Sequence, residues 1–243
     1  MVIGRCLFLT MLVAAAAAGG CAARSAEPEP AEQVAELFPL RPGTFWVYRV
    51  QDFDGQVTLQ RVLVRGKLYL KTLEAPGMVV DESGGVSGEL SLDVEWHPVV
   101  YYRRGDFLYK FSGLDYDGEK LREVRLGIGE EKVLPSDPFR YPAWESDFEV
   151  FRLNEQTAYG IRTYSIAEQE RAPVEVHAGT FDGCVRVETR SVTRHPRGRV
   201  VLYRYLDWYA PGVGLVKSVV EVDDAPRPVR NVELISFRPG SGD

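Results

Sequence analysis

The feature that most constrains the fold is a two-residue alternation of apolar and polar side chains along nearly the whole chain. It is clearest between residues 174 and 237. In VRVETRSV, Val185, Val187, Thr189 and Ser191 fall on one face of an extended chain, and Arg186, Glu188 and Arg190 on the other. Successive strand side chains point to opposite faces, whereas a helix needs apolar residues three and four apart. The same period predicts strands over FWVYRV (45–50), VTLQRVLV (57–64), KLYLKTL (67–73), LSLDVEW (90–96), VVYYRR (99–104) and FLYKF (107–111). It continues through FEVFRL (148–153), YGIRTYSI (159–166), VEVHA (174–178), CVRVETRSVT (184–193), RVVLYRYLDWYA (199–210), GLVKSVVEV (214–222) and VRNVELISF (229–237). The separators include Asp54-Gly55, Asp182-Gly183, Arg197-Gly198 and Pro211-Gly212. Short turns of this chemistry join antiparallel neighbours. The expected class is all-β with minor α: an antiparallel meander forming a strongly curved sheet, half-barrel or open barrel.

In RVVLYRYLDWYA, Val201, Tyr203, Tyr205 and Asp207 alternate with Leu202, Arg204, Leu206 and Trp208, so both faces carry large apolar groups. Such a strand is expected to be covered on both sides, by another sheet, by the chain's own first half or by a ligand.

The N-terminus predicts an address. Arg5 precedes an apolar core over residues 6–18, too short for the roughly 20 residues of a membrane span and within the about 7–15 of a signal-peptide core. Ala18, Gly19 and Gly20 are small enough for cleavage, and Cys21 follows directly. This order resembles the bacterial lipobox, which implies a diacylglycerol on Cys21; the alternative is a plain cleaved signal with Cys21 incidental. Ala22, where an Asp would favour inner-membrane retention, implies release to the outer membrane and a domain facing the periplasm. The predicted organisation is a signal peptide over 1–20, Cys21 and an extended tether over 21–36 carrying Pro28 and Pro30, and a β domain over 37–238. Two halves of that domain would meet near 135–146.

Composition and motifs exclude more than they assign. The net charge is −6, without a basic stripe, so nucleic acid is not an expected partner. After cleavage at Cys21, Cys184 is the remaining thiol of the domain, which leaves no internal disulfide and no cysteine zinc site. The histidines, His97, His177 and His195, are not spaced as a metal pair. No cofactor is expected. His177 and Cys184, separated by AGTFDG, are a conceivable nucleophile pair across a turn. Asp115 and Asp117 fall short of a calcium loop, and Arg104-Gly105-Asp106 reads as a hairpin turn.

Two stretches carry a resemblance. LFPLRPGTFWVYRV (37–50) places Phe38-Pro39-Leu40 before Gly43, Trp46 and Tyr48, while HAGTFDGCVRVE (177–188) is followed by WYAPGVGLVKSV (208–219). The pairing resembles a broad group of uncharacterised bacterial secreted proteins and lipoproteins. Their domains open with Phe/Tyr-Pro-Leu-x-x-Gly-x-x-Trp-x-Tyr and close with Tyr-Ala-Pro-Gly-Val-Gly-Leu-Val-Lys. Many of them repeat the opening signature mid-chain; here LPSDPFRYPAWES (134–146) keeps Trp144 and lacks the glycine. At fold level the chain is similar to curved-sheet lipoprotein carriers of the envelope.

The resulting expectation is a non-enzymatic, outer-membrane-anchored module that binds or carries an apolar or lipid ligand. Trp46, Tyr48, Tyr203, Tyr205 and Trp208 are its candidate ligand contacts. The alternative is a structural or assembly lipoprotein that docks another envelope protein through an edge strand.

Overall fold

The computed structural model describes residues 36–71, 74–83, 86–87, 96–112, 114–117, 120–123, 130–152, 157–195, 198–223 and 225–241. Cys21, the predicted signal peptide, most of the tether and residues 90–95 of one predicted strand lie outside the described residues. The strands of the first half are β1 (Phe45–Asp52), β2 (Val57–Leu70), β3 (Ala75–Ser83), β4 (Val86–Ser87), β5 (Trp96–Arg104), β6 (Phe107–Phe111), β7 (Leu114–Asp117), β8 (Lys120–Glu123) and β9 (Glu131–Pro135). Those of the second are β10 (Ala143–Arg152), β11 (Thr157–Val176), β12 (Gly179–Arg194), β13 (Val200–Ala210), β14 (Gly214–Val222) and β15 (Arg230–Arg238). No helix occurs among the described residues.

The strands form one antiparallel path in the order β10-β11-β12-β13-β14-β15-β1-β2-β3-β5-β6-β9, with β4 on β2 and β7–β8 as a separate hairpin. The sheet is nearly closed and barrel-shaped, as the alternation predicts. Both halves of the chain share it. They join where β15 pairs with β1, and segment 136–142 carries the chain from β9 to β10.

Alternation alone placed some boundaries wrongly. VTLQRVLV and KLYLKTL are a single strand, β2, whose register against β3 slips between Val64 and Gly66. VEVHA likewise continues YGIRTYSI within β11, past register shifts at Ala167/Arg171 and Ala172/Val174. An extra residue in a ladder resets which side chains face inward, so a bulge inside one strand reads in sequence as a break between two.

The ends of the path, β9 and β10, meet at a seam. Ser146 Oγ accepts from the Lys132 backbone N–H at 2.9 Å and donates to the Glu130 carbonyl at 3.4 Å. One side chain therefore substitutes for a backbone ladder. Ser146→Ala leaves both backbone groups without these partners and is expected to cost about 1–2 kcal/mol. Faster hydrogen exchange at the Lys132 amide is the expected readout; unchanged exchange there would mean that Ser146 does not hold the seam.

Inward-facing residues form an apolar plug. Leu37, Trp46, Val185, Val187, Val216 and Leu234 are all buried there, and Phe38 packs against them. A second, smaller cluster of Leu70, Val79, Val100, Tyr102 and Phe111 packs separately.

Candidate functional site

The plug forms where the two sequence motifs meet. Trp46 and Tyr48 lie two apart on β1 and point inward together. Trp46 Nε1–H donates to the Val213 carbonyl at 2.6 Å, and the Tyr48 hydroxyl donates to the Leu215 carbonyl at 3.1 Å. Gly214, between those acceptors, has φ +105°, and a Cβ there would sit 3.3 Å from Trp46 Nε1. Glycine is required on both counts. Phe38 completes the floor, stacked on Trp46 at 5.8 Å between ring centroids and tilted against Tyr101 at 5.0 Å.

Above this floor the lumen turns polar. A cavity of about 350 Å³ is lined by Tyr101, Lys110, Glu131, Asp207 and Tyr209, with Thr163, Ser165, Thr189 and Ser191 along its wall. Lys110 Nζ lies 3.1 Å from Glu82 Oε1, and the Tyr101 hydroxyl donates to the same oxygen at 3.3 Å. Burial opposes the charge on Lys110, but Glu82, Tyr101 and Glu131 outweigh it and hold the ammonium above its ordinary pKa. Burial pushes the Asp207 carboxyl up to about 6; a hydrogen bond from Ser218 opposes the rise and nearby Glu131 adds to it. Burial raises Glu131 too, with Lys110 opposing and Glu82 adding. Carboxyls rise in this way when desolvation exceeds the compensation supplied by cations and donors.

A second compartment of about 450 Å³ continues from the first through shared residues Ile161, Thr193 and Tyr205. Asp52, Arg230, His195 and Tyr203 surround it. Tyr203 and Tyr205 stack at 6.2 Å, and His195 meets the Tyr159 ring edge-on at 4.8 Å. Asp52 and Arg230 face each other at 3.5 Å. His195 Nε2 is buried without a hydrogen-bond partner.

The structure therefore separates the five candidate ligand contacts. Trp46 and Tyr48 belong to the floor, with their polar atoms spent on backbone carbonyls. Tyr203 and Tyr205 line the lumen. Trp208 lies on the opposite face of β13, over the Lys217 ammonium at 5.7 Å. That face, expected to be covered, instead carries an ionic ladder. Arg204 bridges Glu188 at 2.8 Å and Glu221 at 3.1 Å, and Arg190 also reaches Glu188. Hydrogen bonds from Arg204, against a smaller opposing effect of burial and with Arg190 helping, hold the Glu188 carboxyl down at about 2. Leu202 stays 41% exposed beside the ladder.

Cys184 is buried, its thiol donates to the Phe181 carbonyl at 3.2 Å, and burial raises its pKa. His177 Nδ1 instead contacts Glu233 at 2.7 Å on the exposed surface, so neither member of the conceivable nucleophile pair engages the other. Arg104-Gly105-Asp106 is a hairpin turn, Gly105 having φ +59°. Among the described residues no three His, Cys, Asp or Glu converge as a metal site.

Lys110, Glu82, Glu131 and the second compartment were not anticipated from sequence. A signal existed in part: Lys110 shares the inward face of FLYKF with Leu108, and Asp207 alternates in step with Tyr203 and Tyr205. A charge in step with an apolar face marks a lumen as readily as an error in the strand pattern.

No protein-family model matches the chain. No curated protein matches it in sequence. Two solved structures are similar in shape. A "putative lipoprotein" of Parabacteroides distasonis ATCC 8503 aligns at TM-score 0.59 and 19% identity, covering 84% of this chain and 99% of that one. A "putative exported protein with YmcC-like fold" of Bacteroides fragilis NCTC 9343 aligns at TM-score 0.44 and 12% identity, over the same shares. At these identities the first likeness shows a shared fold.

Proposed function

We propose that the protein is a non-enzymatic binding module of the bacterial cell envelope. It is tethered to the outer membrane through acylated Cys21, faces the periplasm and holds a small ligand in the barrel lumen. The observation that carries this reading is the pair of connected compartments above an apolar floor, a concave site with convergent polar groups. The N-terminal lipobox and the name of the Parabacteroides structure support the address. Cys184 and His177, each spent on another partner, support a binding rather than a hydrolytic role.

The lining alters the ligand class expected from the alternation. An alkyl chain in the deep compartment would desolvate Lys110, Glu131 and Asp207 without replacing their hydrogen bonds, at a cost of several kcal/mol. A ligand with polar groups fits this wall better. Docking a partner by edge-strand pairing is the weaker reading. The edges β9 and β10 face each other at the seam, and Glu145, Asp147 and Glu149 point outward from β10 as charges that guard an edge.

Native mass spectrometry of the full chain, extracted from envelopes in mild detergent, tests this. The expected spectrum shows a chain beginning at acylated Cys21 with a stoichiometric small mass bound. Thr193→Phe, at the neck between compartments, should lose that mass while melting within a few degrees of the wild type. An empty wild-type chain, or a bound mass indifferent to Thr193→Phe, would contradict the lumen as the site.

A further inference from the structure

We propose that the deep compartment recognises a ligand bearing a positively charged amine, seated among Glu131, Asp207, Tyr205 and Tyr209. The inference rests on the lumen being the binding site and names the chemistry that it selects.

The wall already shows how it holds an ammonium. Lys110 Nζ sits 3.1 Å and 3.4 Å from the two oxygens of Glu82 and 5.7 Å from the centroid of the Tyr101 ring. A carboxylate and the face of a phenol ring are the two groups that hold ammonium in aromatic cages. Elsewhere in the same cavity those two kinds of group recur. Glu131 and Asp207 supply the carboxyls, Tyr205 and Tyr209 the rings. Tyr209 is only 8% exposed and lines the cavity.

Charge leads to the same conclusion. Glu82, Glu131 and Asp207 outnumber the two ammonium groups of this region, that of Lys110, which Glu82 already engages, and that of Lys132, which sits over the Phe107 ring at 4.7 Å. In the second compartment, Asp52 and Arg230 offset each other and contribute no excess. The surplus negative charge is only partly exposed to water, where opposite charge is worth more than at an open surface. An amine bound there gains two carboxylates, two ring faces and a phenol oxygen. A carboxylate-bearing ligand would add to the surplus, and a neutral alcohol would meet it with one hydrogen bond.

The test uses three probes that share a phenethyl body and differ at one end: phenethylamine, 2-phenylethanol and 3-phenylpropionate. Each is titrated calorimetrically into the full chain in detergent at pH 7.5. Phenethylamine is expected to bind at least about tenfold more tightly than the alcohol, and the carboxylate not measurably. In Glu131→Gln/Asp207→Asn, amine and alcohol are expected to bind alike, in a protein that melts no lower than the wild type. Equal binding of amine and alcohol to the wild type would overturn the inference while leaving the lumen as a binding site. Retained amine preference in the double variant would overturn it too. If none of the probes binds, the inference fails, and the bound mass in the native spectrum separately decides whether the lumen reading survives.

Discussion

Replacing Lys110 by methionine lowers the stability of the domain by roughly 2–3 kcal/mol at pH 8, and by much less at pH 5. Breaking a fully buried ion pair costs about 3–5 kcal/mol; the smaller value follows from the partial exposure of Lys110 and Glu82. Their side chains keep 23% and 25% of their surface. The pH dependence has a definite sign. Asp207 and Glu131 already have folded-state pKa values above the ordinary carboxyl range, with Asp207 at about 6. A carboxyl raised on folding weakens the folded state as pH climbs through the interval between its unfolded and folded values. Without Lys110, Glu131 loses its counter-charge and its carboxyl rises further. The variant therefore destabilises progressively between about pH 5 and pH 8, while at pH 5 protonation relieves most of the repulsion. Urea unfolding of wild type and Lys110→Met at the two pH values measures this. An equal loss at both would mean that Lys110 acts by packing its alkyl stem and not by charge.

Trp46→Ala is expected to be the most damaging single change, at about 3–5 kcal/mol or more. The indole is 1% exposed, and its removal opens a cavity facing Phe38 and Gly214 while leaving the Val213 carbonyl without its donor. Trp46→Phe separates the two contributions. It keeps most of the ring against Phe38 and loses the hydrogen bond, for about 1–2 kcal/mol. Because the indole belongs to the floor, Trp46→Phe should lower the melting temperature without changing the mass bound in native spectra. A selective loss of bound ligand, with stability intact, would return Trp46 to the binding surface.

How far the sequence carried this reading depended on which kind of information each feature stores. Side-chain alternation is local, and it named the all-β class, the meander and the residues that share each face of β12 and β13. Bulges are non-local, because an extra residue at Arg65 or beyond Ala167 is defined only against a partner strand. β2 and β11 were therefore each divided in two. The pairing of the motifs at 46–48 and 213–215 was visible as two signatures but not as one contact, since two hydrogen bonds across the fold make it. Trp46, Tyr48, Tyr203, Tyr205 and Trp208 looked equivalent as large aromatics. Their neighbours assigned Trp46 and Tyr48 to the floor, Tyr203 and Tyr205 to the lumen, and Trp208 to the opposite face of β13, partly buried. The polar layer was the least legible part. Lys110, Glu82 and Glu131 lie on separate strands whose charges look like ordinary surface residues until the barrel closes and turns them inward.

The measurement that bears most directly on the binding role is a crystal structure of the full chain purified from its native envelope, without added ligand. The result expected is density for a co-purified molecule in the lumen between Tyr203 and Tyr209, with a polar group against Glu131 and Asp207. A lumen holding only water, in a preparation whose native mass spectrum shows a bound molecule, would place binding elsewhere on the protein and contradict the role proposed for the barrel interior.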